Sequence, residues 1–296
     1  MASLPGFETR MIKANGVNLA VQEGGEGPPL ILLHGFPQTH MCWARTAPEF
    51  ARHFHVIAPD LRGYGDSDAP TDDPEHLTYS KREMARDIVG LMDHFGWDRA
   101  SVLGHDRGAR VSYRLALDHP ERIHRLGLLE ILPTADYWQN WGHSLGFSAY
   151  HWTFLAQPAP MPERMIGSDP EFYADWILTK WSKDKTLDAF APDALADYRR
   201  QMADPAHCTA MCADYRAGYG PDRDHDEADL AAGRKITAPV HVLCGDGGFP
   251  ARAGDPETAW RRWADDVTVA MCPSGHFLAE ENPQAVLDTF LPFFGN

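Results

Sequence analysis

Ala100-Ser101-Val102-Leu103-Gly104-His105-Asp106-Arg107-Gly108-Ala109-Arg110 is the stretch on which the fold turns. Residues 100–104 read as a strand buried on both faces, and a helix is expected from about 107 to 118. Gly104-His105-Asp106-Arg107-Gly108 joins the two with a small–x–Asp–x–small pattern. At a sharp strand-to-helix turn this pattern lifts the central side chain clear of the backbone as a reactive group. The small residues are needed because neighbouring backbone approaches closely. Five residues of this kind also arise by chance, and an aspartate there can simply cap a helix. Their weight comes from lying between a buried strand and a helix, and from partners elsewhere in the chain.

Outward from this turn, the chain alternates strands and helices. Leu30-Ile31-Leu32-Leu33 and Val56-Ile57-Ala58 are short apolar runs of the buried-strand type. Met84, Ile88, Leu91, Met92 and Phe95 fall at helical spacing within 80–96, and a further strand is expected over 123–129. Two β-type runs near 7–13 and 17–22 flank Asn15-Gly16, a hairpin signal. This alternation predicts an α/β fold, with a mostly parallel sheet covered by helices on both faces. After Pro133 the alternation stops, helix-like segments run to about Lys235, and Trp138, Trp141, Trp152, Trp176 and Trp181 all fall there. Strands resume at Val240-His241-Val242-Leu243 and over 267–271, and a last helix follows His276. The expected organisation is a core of residues 1–132 and 237–296, with a helical cap of residues 133–236 inserted between its parts.

His276, in Ser274-Gly275-His276-Phe277, follows the last strand. The order nucleophile, acid, histidine is that of the α/β-hydrolases, which the chain resembles. Glu130, at the end of the strand before the cap, is the expected acid that orients His276 and stabilises its imidazolium. Asp246, in Gly245-Asp246-Gly247-Gly248, is the alternative. The usual hydrolase position for the acid falls near Gly248, which carries no side chain. His34-Gly35-Phe36-Pro37 ends an early strand. In this fold the backbone N–H groups of Phe36 and Arg107 are expected to form an oxyanion hole.

An aspartate nucleophile points away from acyl transfer. It attacks a saturated carbon, displaces a leaving group and forms an alkyl ester that water then hydrolyses. Two chemistries follow, halide displacement and epoxide opening. Arg107 and Arg110 share one face of the first helical turn, where positive charge is unfavourable. Asp106 supplies one compensating anion, and a substrate carboxylate is expected to supply another. Two unshielded anions about 4 Å apart would repel by on the order of 4 kcal/mol at an effective dielectric near 20. Bidentate guanidinium binding would offset that and orient the carbon for attack. Arg114, further along the same face, reads as structural.

Asp106-Arg107-Gly108-Ala109-Arg110, Tyr150-His151-Trp152 and Asp214-Tyr215-Arg216-Ala217-Gly218 resemble the fluoroacetate dehalogenases. The resemblance runs from His34 to His276. It implies that Arg107 and Arg110 bind the substrate carboxylate, and that His151, Trp152 and Tyr215 form the halide pocket. Imidazole N–H, indole N–H and phenol O–H are three donors for a strongly hydrated leaving fluoride. Alone, Trp152 would read as cap core and Tyr215 as an ordinary half-buried tyrosine; Trp181 is read equally as pocket or core. The resemblance also implies a homodimer. The chain departs from many members in carrying glutamate at 130 rather than aspartate, which bears on efficiency more than on reaction type. An epoxide hydrolase shares Asp106, His276 and the Pro59-Asp60-Leu61-Arg62-Gly63-Tyr64-Gly65 stretch. A neutral epoxide, however, gives Arg107 no purpose. Haloalkane dehalogenases commonly carry tryptophan where Arg107 stands. A non-catalytic binding protein would be expected to lose a member of the triad, and this chain keeps all three.

Composition fits this reading. The net charge of −15 argues against nucleic acid and acidic membranes as partners. Cys42, Cys208, Cys212, Cys244 and Cys272 form no metal-binding spacing and read as reduced thiols, a disulfide being the alternative. No basic–apolar leader and no apolar run of about 20 residues is visible, so a cytoplasmic protein is expected. No metal and no organic cofactor is implied.

Overall fold

The structure is a computed structural model that describes residues 2–295. Eight strands form one sheet: β1 (Glu8–Ala14), β2 (Val17–Gly24), β3 (Pro29–Leu33), β4 (His55–Pro59), β5 (Ala100–His105), β6 (Ile123–Leu129), β7 (Val240–Gly245) and β8 (Val267–Cys272). Their order across the sheet is β1-β2-β4-β3-β5-β6-β7-β8. The β1–β2 hairpin and the β2–β4 pair are antiparallel, and every other pairing is parallel. β3 is apolar end to end because both faces of the sheet are covered there. Leu30, Ile31, Leu32 and Leu33 are fully buried, each contributing roughly 1.5–3 kcal/mol of apolar transfer energy.

Between β6 and β7 the chain contains only helices, from Thr134–Gln139 to Pro221–Ala231. Two of them, Pro205–Tyr219 and Pro221–Ala231, meet the strand-bearing part through buried ion pairs. Arg114 bonds Asp226 at 2.6 Å and also pairs with Asp229, so it is a structural residue. Lys81, at the start of the helix Lys81–His94, pairs with Asp214 and lies 3.4 Å from Asp222. Such pairs contribute little net stability, but removing one partner would leave a buried charge uncompensated.

All five cysteines are free and buried. Among the described residues no helix is long and apolar enough to cross a membrane, and no group of three or more His, Cys, Asp or Glu side chains could hold a metal ion.

Candidate active site

β5 ends at His105, and the helix Asp106–Asp118 begins on the next residue. Asp106 itself makes the turn, with φ +47°. This left-handed conformation is one that aspartate tolerates better than most residues. Close packing beneath the turn explains the glycines. A Cβ on Gly108 would run into the carbonyls of Leu33 and His34, and one on Gly35 would stand 2.9 Å from Asp106 Oδ1. The Phe36 N–H instead donates to Oδ1 at 2.9 Å, half of the expected oxyanion hole. Oδ2 therefore faces the site, 3.8 Å from His276 Nε2.

His276 is buried, its two ring nitrogens have no hydrogen-bond partner, and burial lowers its pKa below the ordinary 6.5. Burial acts the other way on Asp106, but His276, His105, Arg107 and Arg110 together hold that carboxyl below its usual value. The site thus pairs an ionised carboxylate with a neutral imidazole. Glu281 braces the histidine loop, its carboxylate accepting the N–H groups of Gly275 at 3.0 Å and Phe277 at 2.9 Å.

Glu130, not Asp246, is the acid beside His276. Its Oε1 is 3.8 Å from Nδ1, and its oxygens accept N–H groups of Gly245 and Phe249, each at 2.7 Å. Burial pushes this carboxyl well up, against those two amides. A Cβ built on Gly248 would overlap Glu130 Oε1 and stand 2.7 Å from Oε2. The acid borne by β6 thus occupies the space of a side chain after β7, which is why position 248 is glycine. Asp246 is an exposed residue paired with Lys183 at 2.8 Å.

The arginines correct one expectation from the sequence. The anion that compensates Arg107 belongs to the protein. Asp214 accepts from Arg107 Nε at 3.0 Å and from Nη2 at 2.6 Å, and the Asp214 carbonyl accepts from Nη2 at 2.7 Å. Charge balance at Arg107 therefore needs no substrate carboxylate. What remains open is Arg107 Nη1, buried without a partner, and likewise Arg110 Nε. Arg110 is fixed by donating from Nη1 to Leu132 O at 3.0 Å and Thr134 Oγ1 at 2.9 Å.

His151, Trp152 and Tyr215 come together over this pair. Arg107 lies 4.3 Å from the Tyr215 ring centre and Arg110 4.5 Å from that of Trp152. The His151 and Tyr215 rings are 5.6 Å apart, and Tyr215 OH and His151 Nδ1 are buried without partners. Burial raises the Tyr215 pKa well above 10 and lowers that of His151 well below 6.5, so both are uncharged and the hydroxyl keeps its proton. Trp181 packs 4.2 Å from His151 and 5.4 Å from His276, which makes it part of the wall. A cavity of about 10 Å³ lies among Asp106, Arg110, Glu130, His151, Trp152 and His276. That is close to the room one water needs, so the resting site is tightly closed.

The sequence reading missed Asp214 as the holder of Arg107. Its signal was an acidic residue closing the otherwise apolar run Ala210-Met211-Cys212-Ala213, next to Tyr215. Tyr137, stacked 4.5 Å from Trp152, and Phe249, 5.7 Å from His151, were also missed.

The family of the alpha/beta hydrolase fold matches residues 28–283. The chain belongs to the α/β-hydrolases. Within this family it is 40% identical to a fluoroacetate dehalogenase from Burkholderia sp over 278 residues, 94% of this chain and 90% of that one. It is 33% identical to a soluble epoxide hydrolase from Corynebacterium sp. (strain C12) over 284 residues, 95% of this chain and 94% of that one. A solved α/β-hydrolase structure from Nostoc sp PCC 7120, so described provisionally, superposes with a TM-score of 0.94 at 45% identity, covering 98% of both chains. The resemblance to the fluoroacetate dehalogenases thus extends along the chain, and the epoxide hydrolases of the same family are near relatives.

Proposed function

We propose that this hydrolase removes halide from small 2-halocarboxylates, fluoroacetate foremost, through an ester on Asp106. One observation carries the reading: Arg107 Nη1, Arg110 Nε, His151 Nδ1 and Tyr215 OH are buried without partners, and all four side chains feel the charge of one carboxylate, Asp106. Buried polar groups are rarely left unpaired, and each costs about 1–3 kcal/mol unless something binds it. Two guanidinium edges suit a carboxylate, and uncharged donors suit a departing halide.

In this reading Asp106 Oδ2 attacks the carbon that bears the halogen, and the carbon–halogen bond breaks. Arg107 and Arg110 hold the substrate carboxylate and align that carbon. The halide leaves toward His151, Trp152 and Tyr215. His276 then takes a proton from water, whose oxygen adds to Asp106 Cγ. The tetrahedral oxyanion rests on the N–H groups of Phe36 and Arg107. Its collapse breaks the ester C–O bond, the His276 imidazolium returns its proton to the departing alkoxide, and the 2-hydroxy acid leaves with Asp106 restored, Glu130 holding His276 throughout. The helical segment 133–236 acts as the cap that excludes water. Its exposed Phe147, Met161, Met165, Phe172 and Trp176 are the proposed face of a homodimer, which light scattering of the purified protein would measure.

Free fluoride and glycolate from fluoroacetate are the expected products, with chloroacetate and a simple epoxide run in parallel. Epoxide opening is the second reading, favoured by the unpartnered Tyr215 OH as a donor to the epoxide oxygen. Diol without halide release would select it.

A further inference from the structure

A second pocket, of about 30 Å³, also reaches His276. It shares Phe249 and His276 with the cavity over Asp106. Lys180, Lys185 and Arg252 line it, and no Asp or Glu does. That is unusual in a chain with 42 acidic and 27 basic side chains. The cations are partly fixed: Lys185 Nζ donates to Lys180 O at 2.7 Å and Ser182 O at 2.6 Å, and Arg252 Nη2 donates to Gly247 O at 3.0 Å. Partial burial and then the charges of Arg252 and Lys180 lower the Lys185 pKa, as expected where positive potential accumulates; Glu281 acts in the opposite sense. Trp181, which lines this pocket, and Phe249, which lines both it and the cavity over Asp106, pack edge to face at 5.3 Å. His151 touches both from the inner side, at 4.2 and 5.7 Å.

We propose that Lys180, Lys185 and Arg252 form an anion way station outside the Trp181–Phe249 door, through which a small monovalent anion passes between solvent and His151. The proposal rests on the halocarboxylate reading for its physiological use. Its chemistry serves two travellers, the carboxylate going in and the halide coming out. A net charge of −15 repels both at long range, and a local positive mouth offsets that repulsion where passage occurs.

Iodide, a charged quencher of tryptophan fluorescence, tests this without turnover, and acrylamide serves as the neutral control. Lys180 is an exposed residue whose substitution should not disturb folding. Removing one unit charge about 8 Å from the quencher in high dielectric should lower the iodide quenching constant about two-fold. We expect that factor for Lys180→Gln, about five-fold for Lys180→Glu, unchanged acrylamide quenching, and convergence of the three proteins near 0.5 M salt, where screening acts within about 4 Å. All constants are read in a Trp176→Phe background, because that exposed tryptophan lies one turn from Lys180 on the same helix, and there the charge-dependent part should vanish in Trp181→Phe. Relief of quenching by acetate marks the inward traveller and relief by chloride the outward one. Equal iodide constants at low salt, relief by neither anion, or a charge-dependent part that survives in Trp181→Phe would overturn the proposal. Because quenching needs no chemistry, an absence of fluoride release would defeat the halocarboxylate reading and leave the way station standing.

Discussion

Gly248→Ala adds one methyl group and should nearly silence the enzyme. Gly248 does not occupy the left-handed region, so alanine is not disfavoured by the backbone itself. The damage falls on Glu130, whose Oε1 the new Cβ would overlap and whose Oε2 it would meet at 2.7 Å. Glu130 is buried and its own φ is +57°, which leaves its carboxylate little freedom to retreat. Moving it breaks the two 2.7 Å bonds from Gly245 and Phe249. Each such bond contributes about 0.5–1.5 kcal/mol and a buried amide left unmet costs about 1–3 kcal/mol, so losing one or both costs about 1–5 kcal/mol. His276 loses its orienting acid at the same time. Losing the equivalent partner in a serine triad slows turnover by about 10⁴, and we expect a fall of at least about 100-fold here. A fluoride electrode reads the rate, urea unfolding reads the stability, and intact mass shows whether the Asp106 ester accumulates. Glu130→Ala combined with Gly248→Ala should recover stability without activity, which separates packing from chemistry. Glu130→Ala combined with Gly248→Asp should regain at least about ten-fold over Gly248→Ala, by bearing the acid on the neighbouring strand. A Gly248→Ala protein within three-fold of the parent rate would refute this account of Glu130.

Four further outcomes are expected. His276→Asn should form the ester but not hydrolyse it, giving a protein one carboxymethyl group heavier, whereas Asp106→Asn should neither turn over nor gain mass; turnover by Asp106→Asn would remove it as nucleophile. Tyr215→Phe deletes a buried hydroxyl without a partner, so stability should hold or rise while fluoride release falls about ten-fold and chloride release falls less; a loss of stability in urea would show that the hydroxyl is bonded in solution. Asp214→Asn leaves Arg107 and Lys81 undercompensated and should destabilise by about 3–5 kcal/mol and raise KM for the acid, read by unfolding and by initial rates; an unchanged KM would deny Asp214 its hold on Arg107. Because burial lowers the His276 pKa, the base stays neutral below pH 6.5, so the acid limb of kcat/KM should have its midpoint below that value. A midpoint above 6.5 would contradict the burial argument.

The strands and Asp106 were legible because their signals are local. Four consecutive leucine and isoleucine side chains mark a strand covered on both faces, and the elbow pattern is complete within five residues. Glu130 was legible less directly, through its place at the end of β6 and the missing side chain at Gly248. Arg107 shows where such reading stops. Helix electrostatics correctly demanded an anion beside it, but nothing local distinguishes a substrate carboxylate from an aspartate 107 residues later in the chain. The unpartnered atoms of Tyr215 and His151 were equally out of reach, since an unmet hydrogen bond is a property of the packed state.

The seam of buried charge bears on assembly as well as chemistry. Lys81, Arg107 and Arg114 present one sign from the strand-bearing part, and Asp214, Asp222, Asp226 and Asp229 present the other from two late helices. During synthesis the cations emerge first and wait more than a hundred residues for their counterparts. Apolar faces alone would let those helices settle in several rotations and offsets. Matched signs at fixed positions penalise every arrangement but one, because a misplaced helix buries like against like. The charges thus act as a key that sets the docking register, and Tyr215, adjacent to Asp214, is carried into place by the same fit.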